Sequence, residues 1–350
     1  MRRLWVSLLV SGAMLACGGA DDGGGSAGTA GSAGTGGSGG AAGSGGTAGS
    51  AGTGGGAGSA GTGAGGSGGS AGGFTCSAGP ISAGWNEAFK VGDQTRRFHA
   101  ALPSAPSKPV SVIFNFHGYG DTAENMRKFF APDPDADPDF PLVVVTPDDT
   151  GMTPFAVPRG LDWDLFEIAE GDDNREAALF EQVLGCLGQD FDLDLQRVYT
   201  FGFSAGAIAA NMLHSRYPQH VGAVVAFSGA WFNDPDEVAG VNLLGLPVTL
   251  SWSELNAADG GVVLLSHGGP SDVFGAAGQQ VIDFETSAGF AKPYLRGHGR
   301  EVIDCVHTGG HSPHPQVTTQ RVLELFKANR AGEPAQVDLS GWPDSCARVD

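Results

Sequence analysis

The sequence predicts an α/β domain over residues 74–350, with a mostly parallel central sheet and helices on both faces. Two observations predict it. Short apolar runs of strand length alternate with segments of helical periodicity, the pattern of a parallel sheet covered on both sides. At one alternation the apolar run Arg197-Val198-Tyr199-Thr200 passes through Phe201-Gly202-Phe203-Ser204-Ala205-Gly206 into Ala207-Ile208-Ala209-Ala210. That is strand, sharp turn and helix with G-x-S-x-G in the turn, the context of a nucleophile elbow.

Two other segments precede this domain. Arg2 and Arg3 stand before an apolar run, and small residues lead to Ala16-Cys17. A charged start and a short apolar run read as an export signal over residues 1–17, too short to span a membrane. Met14-Leu15-Ala16-Cys17 resembles the lipobox of bacterial lipoproteins, which implies lipidation at Cys17, export and an anchor in the cell envelope. Cleavage and release into the medium is the alternative. Residues 18–73 are almost wholly Gly, Ala, Ser and Thr, without proline and without a strict glycine period. Such a segment cannot bury a core and is expected to stay disordered. As a flexible tether its root-mean-square span is on the order of 40 Å.

Within the domain the elements follow in order. Residues 85–102 alternate apolar and polar about Val91-Gly92-Asp93, a hairpin signal. Residues 109–116 form a continuous apolar run, as a doubly buried strand does. His117-Gly118-Tyr119-Gly120-Asp121 follows, then a helix through Phe130. Residues 141–146 are a second buried strand, and a long loop with Trp163 and Phe166 comes after it. Residues 174–187 place Leu179, Phe180, Val183, Leu184 and Leu187 on one helical face. After the elbow strand and its helix, residues 221–227 form a strand ending in Ser228. Segments 246–250 and 261–266 are both strand-like. A helix over 278–288, a strand over 301–306 and a helix over 316–329 complete the pattern.

The formal net charge of −19, with no basic patch, argues against a nucleic-acid partner. Four cysteines remain after Cys17: Cys76, Cys186, Cys305 and Cys346. In an exported chain they predict two disulfides, with three pairings open. Cys186 and Cys305 are expected at opposite edges of the sheet, too far apart to bridge. Of the other pairings, Cys186 with Cys346 suits the direction of the last helix. No spacing suggests a metal site, and the chemistry below needs no cofactor.

That chemistry is nucleophilic. In the elbow Ser204 Oγ stands exposed, and the N–H of Ala205 faces a developing oxyanion. The glycine-rich loop at 117–120 follows a central strand and can supply a second N–H, from Tyr119. The general base is expected after the last strand, at His311 in Gly309-Gly310-His311, with His307 and His314 as competitors. The acid is expected after the penultimate strand, at Asp272 in Ser266-His267-Gly268-Gly269-Pro270-Ser271-Asp272. Were 246–250 that strand, Glu254 or Asp259 would take the place. The chain order Ser, Asp, His is one that serine hydrolases use.

RRFHAALP at 96–103, HGYG at 117–120, RVYTFGFSAG at 197–206, SHGGPSD at 266–272 and GGHSPHP at 309–315 together resemble one family. It is the secreted α/β-hydrolase esterases grouped as poly(3-hydroxybutyrate) depolymerase and feruloyl esterase-like proteins. The resemblance implies a serine esterase that forms an acyl-enzyme on Ser204 and acts on feruloyl or acetyl esters of polysaccharide, or on short polyesters. A peptidase of the same fold and a non-catalytic tethered binding protein are the rival expectations.

Overall fold

The computed structural model describes residues 73–149, 162–165, 174–234, 241–243, 246–247, 250, 252–276 and 279–350. The export signal, Cys17, residues 18–72 of the linker and Phe166 lie outside them. The chain divides into two units, Met1–Gly63 and Ala64–Asp350, and all described residues belong to the second.

The elements in chain order are β1 (Gly84–Val91), β2 (Gln94–Ala101), β3 (Val110–Phe116), α1 (Ala123–Phe129), β4 (Leu142–Pro147) and α2 (Arg175–Asp190). Then come β5 (Leu193–Phe203), α3 (Ala205–Arg216), β6 (Val221–Phe227), β7 (Asn242–Leu243), β8 (Leu246–Pro247) and β9 (Val262–His267). The chain continues with β10 (Val273–Ala276), β11 (Gln279–Asp283), α4 (Phe284–Gly297), β12 (Glu301–Val306), α5 (Thr319–Ala328) and β13 (Cys346–Arg348). Among the described residues, nine strands make one sheet in the order β1-β2-β4-β3-β5-β6-β9-β12-β13. The six from β4 to β12 run parallel, and β1, β2 and β13 pair antiparallel at the edges.

Side-chain alternation along the buried strands makes two cores, one per face. Val112, Phe114 and Phe116 of β3 join α2, α3 and α4 on one face, while Ile113 joins α1 and α5 on the other. Capping sets where the helices begin. Asn174 accepts the Ala177 N–H at 2.8 Å, and Asp283 accepts the Thr286 N–H at 2.9 Å. Arg96 on β2 meets Glu176 on α2 at 2.8 Å with both side chains essentially buried, so removing either partner is expected to cost about 3–5 kcal/mol.

Three expectations need correction. The described residues of the segment 246–250 add no strand to the main sheet: Leu246–Pro247 pairs with Asn242–Leu243 and Leu250 lies outside any strand. The penultimate parallel strand is therefore β9. The helix expected from 278 begins at Phe284, because the preceding residues close a β10–β11 hairpin. The disulfides join Cys76 to Cys186 and Cys305 to Cys346, so Cys186 and Cys305 are indeed unbridged but Cys186 does not meet Cys346. After α5 the chain returns as edge strand β13, which places Cys346 opposite Cys305 in register. At the other end Gly185 lets the backbone of Thr75 lie directly on α2, where a Cβ would collide with it. That contact brings Cys76 to Cys186.

Candidate active site

Ser204, Ser228, Asp272, His311 and the 117–120 loop stand at or just beyond the carboxyl ends of parallel strands, and Ser204 is buried where the sequence led us to expect an exposed hydroxyl. Ser204 follows β5 with φ 57 and ψ −124, far from helix or strand values. Such a backbone costs on the order of 1–3 kcal/mol and persists only where its surroundings hold it. The hold here is steric. A Cβ on Gly202 would collide with the backbone of Gly206, and a Cβ on Gly206 would collide with the carbonyls of Phe116 and His117. Glycine at both positions lets α3 start close against β3 and β5. The Ser204 N–H donates to the Phe227 carbonyl at 2.8 Å, which ties the turn to β6. Ala205 opens α3, so its N–H is among those with no partner inside the helix and sits at the positive end of the helix dipole.

His311 reaches the elbow from the loop after β12. Its Nε2 lies 2.9 Å from Ser204 Oγ, and its Nδ1 lies 2.7 Å from Asp272 Oδ1. Asp272 is fully buried, and its other oxygen, Oδ2, accepts from Ser228 Oγ and from the Gly268 N–H, each at 2.8 Å. The imidazole packs against Phe203, tilted, and Phe284, stacked, with ring centroids 4.9 and 4.8 Å away. The acid and base loops touch through glycines, since a Cβ on Gly268 would collide with the Gly310 carbonyl. Together these contacts bring a nucleophile, a base and an orienting carboxylate into one line.

The other expected candidates are placed elsewhere. His307 Nδ1 accepts the Gly309 N–H at 3.1 Å, and burial holds that imidazole below its ordinary pKa, opposed by the charge of Asp272. His314 bonds Ser345 Oγ at 3.0 Å and, with Pro313, Pro315 and Phe129, lines an apolar groove between α1 and α5. Asp259 lies in a short 3₁₀ turn before β9, and Glu254 precedes it, both at the wrong end of that strand. Asp304, inside β12, pairs with Lys292 at 2.6 Å. His267 is buried at the end of β9, with its Nε2 3.5 Å from Asp304 rather than near Ser204.

The loop 117–120 lies on the elbow. A Cβ on Gly118 would stand 3.3 Å from Ser204 Cβ and 3.1 Å from the Phe203 ring. The Asp121 N–H closes a turn onto the Gly118 carbonyl at 3.1 Å, with Gly120 at φ 71 in its third position. Tyr119 is exposed, and its ring stands edge-on to Phe274 at 5.7 Å. Sequence reasoning missed Ser228, Phe284 and the residues that brace this loop. Ser228 could have been suspected from its place just past a central strand, beside the elbow. Among the described residues no group of His, Cys, Asp or Glu is arranged to hold a metal, and no helix is long and apolar enough to cross a membrane.

The family model described as phospholipase/carboxylesterase matches residues 98–257, which include the 117–120 loop and the elbow and stop short of Asp272 and His311. Curated proteins give no significant match. Among solved structures the chain is similar to a pOPH variant in complex with DMSO, 17% identical with a TM-score of 0.60 over 79% of this chain and 96% of that one. Native sOPH is 16% identical with a TM-score of 0.57, over 79% of this chain and 97% of that one. At such identity the likeness speaks for the fold. The chain is thus an α/β-hydrolase-fold protein that matches the phospholipase/carboxylesterase family over residues 98–257.

Proposed function

We propose that the protein is a serine carboxylic-ester hydrolase working through an acyl-enzyme on Ser204. The observation that carries this reading is the line Ser204 Oγ, His311, Asp272, with separations of 2.9 and 2.7 Å. His311 Nε2 takes the Ser204 proton as Oγ attacks the ester carbonyl. Asp272 accepts the Nδ1–H and stabilises the imidazolium that forms. The N–H groups of Ala205 and Tyr119 hold the oxyanion. His311 then protonates the leaving alkoxide, and later activates the water that frees the acid and restores Ser204. The two aromatic rings packed against His311 limit its rotation, which favours a single productive orientation.

Feruloyl or acetyl esters of polysaccharide, or short polyesters, are the proposed substrates, on the resemblance of the motifs above to those of poly(3-hydroxybutyrate) depolymerase and feruloyl esterase-like proteins. Export and lipidation at Cys17 would place the enzyme on the cell envelope, tethered by residues 18–73. The test is one panel: 4-nitrophenyl acetate, methyl ferulate, poly(3-hydroxybutyrate) and an oligopeptide, each with wild type and Ser204→Ala. Ester turnover that falls by about 10⁴–10⁶ in Ser204→Ala is expected, as when a triad member is lost. Cleavage of the peptide alone makes the protein a peptidase. No turnover of any substrate leaves a binding protein.

A further inference from the structure

The loop beside the elbow is braced from a segment remote in sequence. Asp162 Oδ2 accepts the Gly120 N–H at 2.5 Å, and Trp163 Nε1–H donates to the His117 carbonyl at 3.0 Å. The two bonds grip the loop on either side of Gly118 and Tyr119. Both side chains are fully buried. The segment itself is anchored through Asp164. Its N–H donates to Glu176 Oε1 at 3.3 Å, its carbonyl accepts from Asn174 Nδ2 at 2.9 Å, and its Oδ2 accepts the Arg175 N–H at 3.1 Å. Glu176 is in turn held by Arg96 at 2.8 Å. A path of hydrogen bonds, continued by the backbone of residues 162–164, therefore runs from β2 through the start of α2 to the loop beside Ser204.

Asp162 occupies the left-handed region at φ 64. A side chain there is strained relative to glycine, less for Asp than for most residues. Backbone geometry alone would favour glycine, so the carboxylate is the feature to explain. A buried carboxylate is also costly unless hydrogen-bonded. In the 118–121 turn, Gly120 with φ 71 at the third position marks a type II turn. Binding the Gly120 N–H fixes the middle peptide of that turn. It also engages that N–H, so it does not compete for an oxyanion.

We infer that Asp162 and Trp163 are positioning residues for the oxyanion loop, holding it in its working conformation before substrate arrives. The inference rests on the esterase reading of the site. A preformed donor contributes to catalysis because no reorganisation is needed at the transition state; losing one outright costs about 10²–10³ in rate. A loosened loop should lose part of that.

The test compares Asp162→Asn with Asp162→Gly, since both residues tolerate the left-handed backbone and only Asn keeps an acceptor. The readouts are kcat and KM on 4-nitrophenyl acetate and the affinity of a boronic acid that forms a tetrahedral adduct on serine. In Asp162→Gly, kcat should fall about 10–100-fold with KM within about twofold, and boronate affinity should fall by the same factor. Asp162→Asn should stay within about threefold of wild type, because a neutral acceptor serves the same bond. Unchanged kcat in Asp162→Gly overturns the inference. So does a fall in kcat without a matching loss of boronate affinity, or an Asn variant as impaired as the Gly variant. If Asp162→Gly does not fold, Trp163→Phe decides: a parallel fall of at least about threefold in kcat and boronate affinity supports the brace, and no change overturns it. A wild type that neither turns over the ester nor binds the boronate removes the esterase reading instead, an outcome distinct from failure of the brace.

Discussion

The nucleophile side and the acid–base side of the site are built by opposite means. The elbow is local: five consecutive residues, 202–206, make it, and glycine at each end is required by direct collision with neighbouring backbone. The acid–base side is assembled across distance. His311 is 39 residues from Asp272 and 107 from Ser204, and its position depends on touching loops, two flanking rings and a serine from a third strand end. Short-range sterics write a nucleophile into a sequence motif, whereas long-range packing leaves its partners as isolated residues.

Three substitutions sharpen that contrast, in falling order of effect. Asp272→Asn should lower turnover by about 10⁴ with little change in fold, because His311 then loses the acceptor that sets its tautomer. Near-normal turnover would move the acid elsewhere. Gly268→Ala drives a Cβ into the Gly310 carbonyl and should push the acid and base loops apart. A shift of about 1 Å can cost on the order of 10²-fold in rate. Gly297→Ala, whose Cβ meets nothing within 4 Å, is the control and should leave activity unchanged. If Gly268→Ala is equally silent, the glycine contact does not set the alignment. Ser228→Ala removes one of the two donors to Asp272 Oδ2 and leaves the Gly268 N–H. A hydrogen bond to a charged group contributes about 1.5–3 kcal/mol, so a loss of roughly tenfold or more in kcat is expected. A normal rate in that variant would make the hydroxyl dispensable.

The same contrast explains what could be read in advance. The parallel core was legible, because β3, β4, β6 and β9 are runs in which every residue is buried. The elbow and the glycine loop after β3 were legible for their local patterns. The β10–β11 hairpin was not, since Val273–Ala276 and Gln279–Asp283 carry no clean alternation and lead straight into a capped helix. Strand β13 is three residues long, so the Cys305–Cys346 bridge had no strand signal to announce it. Asp162, Trp163 and Ser228 are single residues whose meaning lies in partners 42, 46 and 44 positions away. No local periodicity marks such residues.

The central claim is that Ser204 is a nucleophile activated by His311 and Asp272. Its most direct test is intact-protein and peptide mass spectrometry after exposure to a fluorophosphonate, run on wild type, Ser204→Ala and Asp272→Asn. The account predicts one adduct per chain on the peptide that carries Ser204, formed in step with loss of esterase activity, absent in Ser204→Ala and far slower in Asp272→Asn. A wild type that gains no adduct, or one that is modified at another residue while Ser204 stays free, contradicts it.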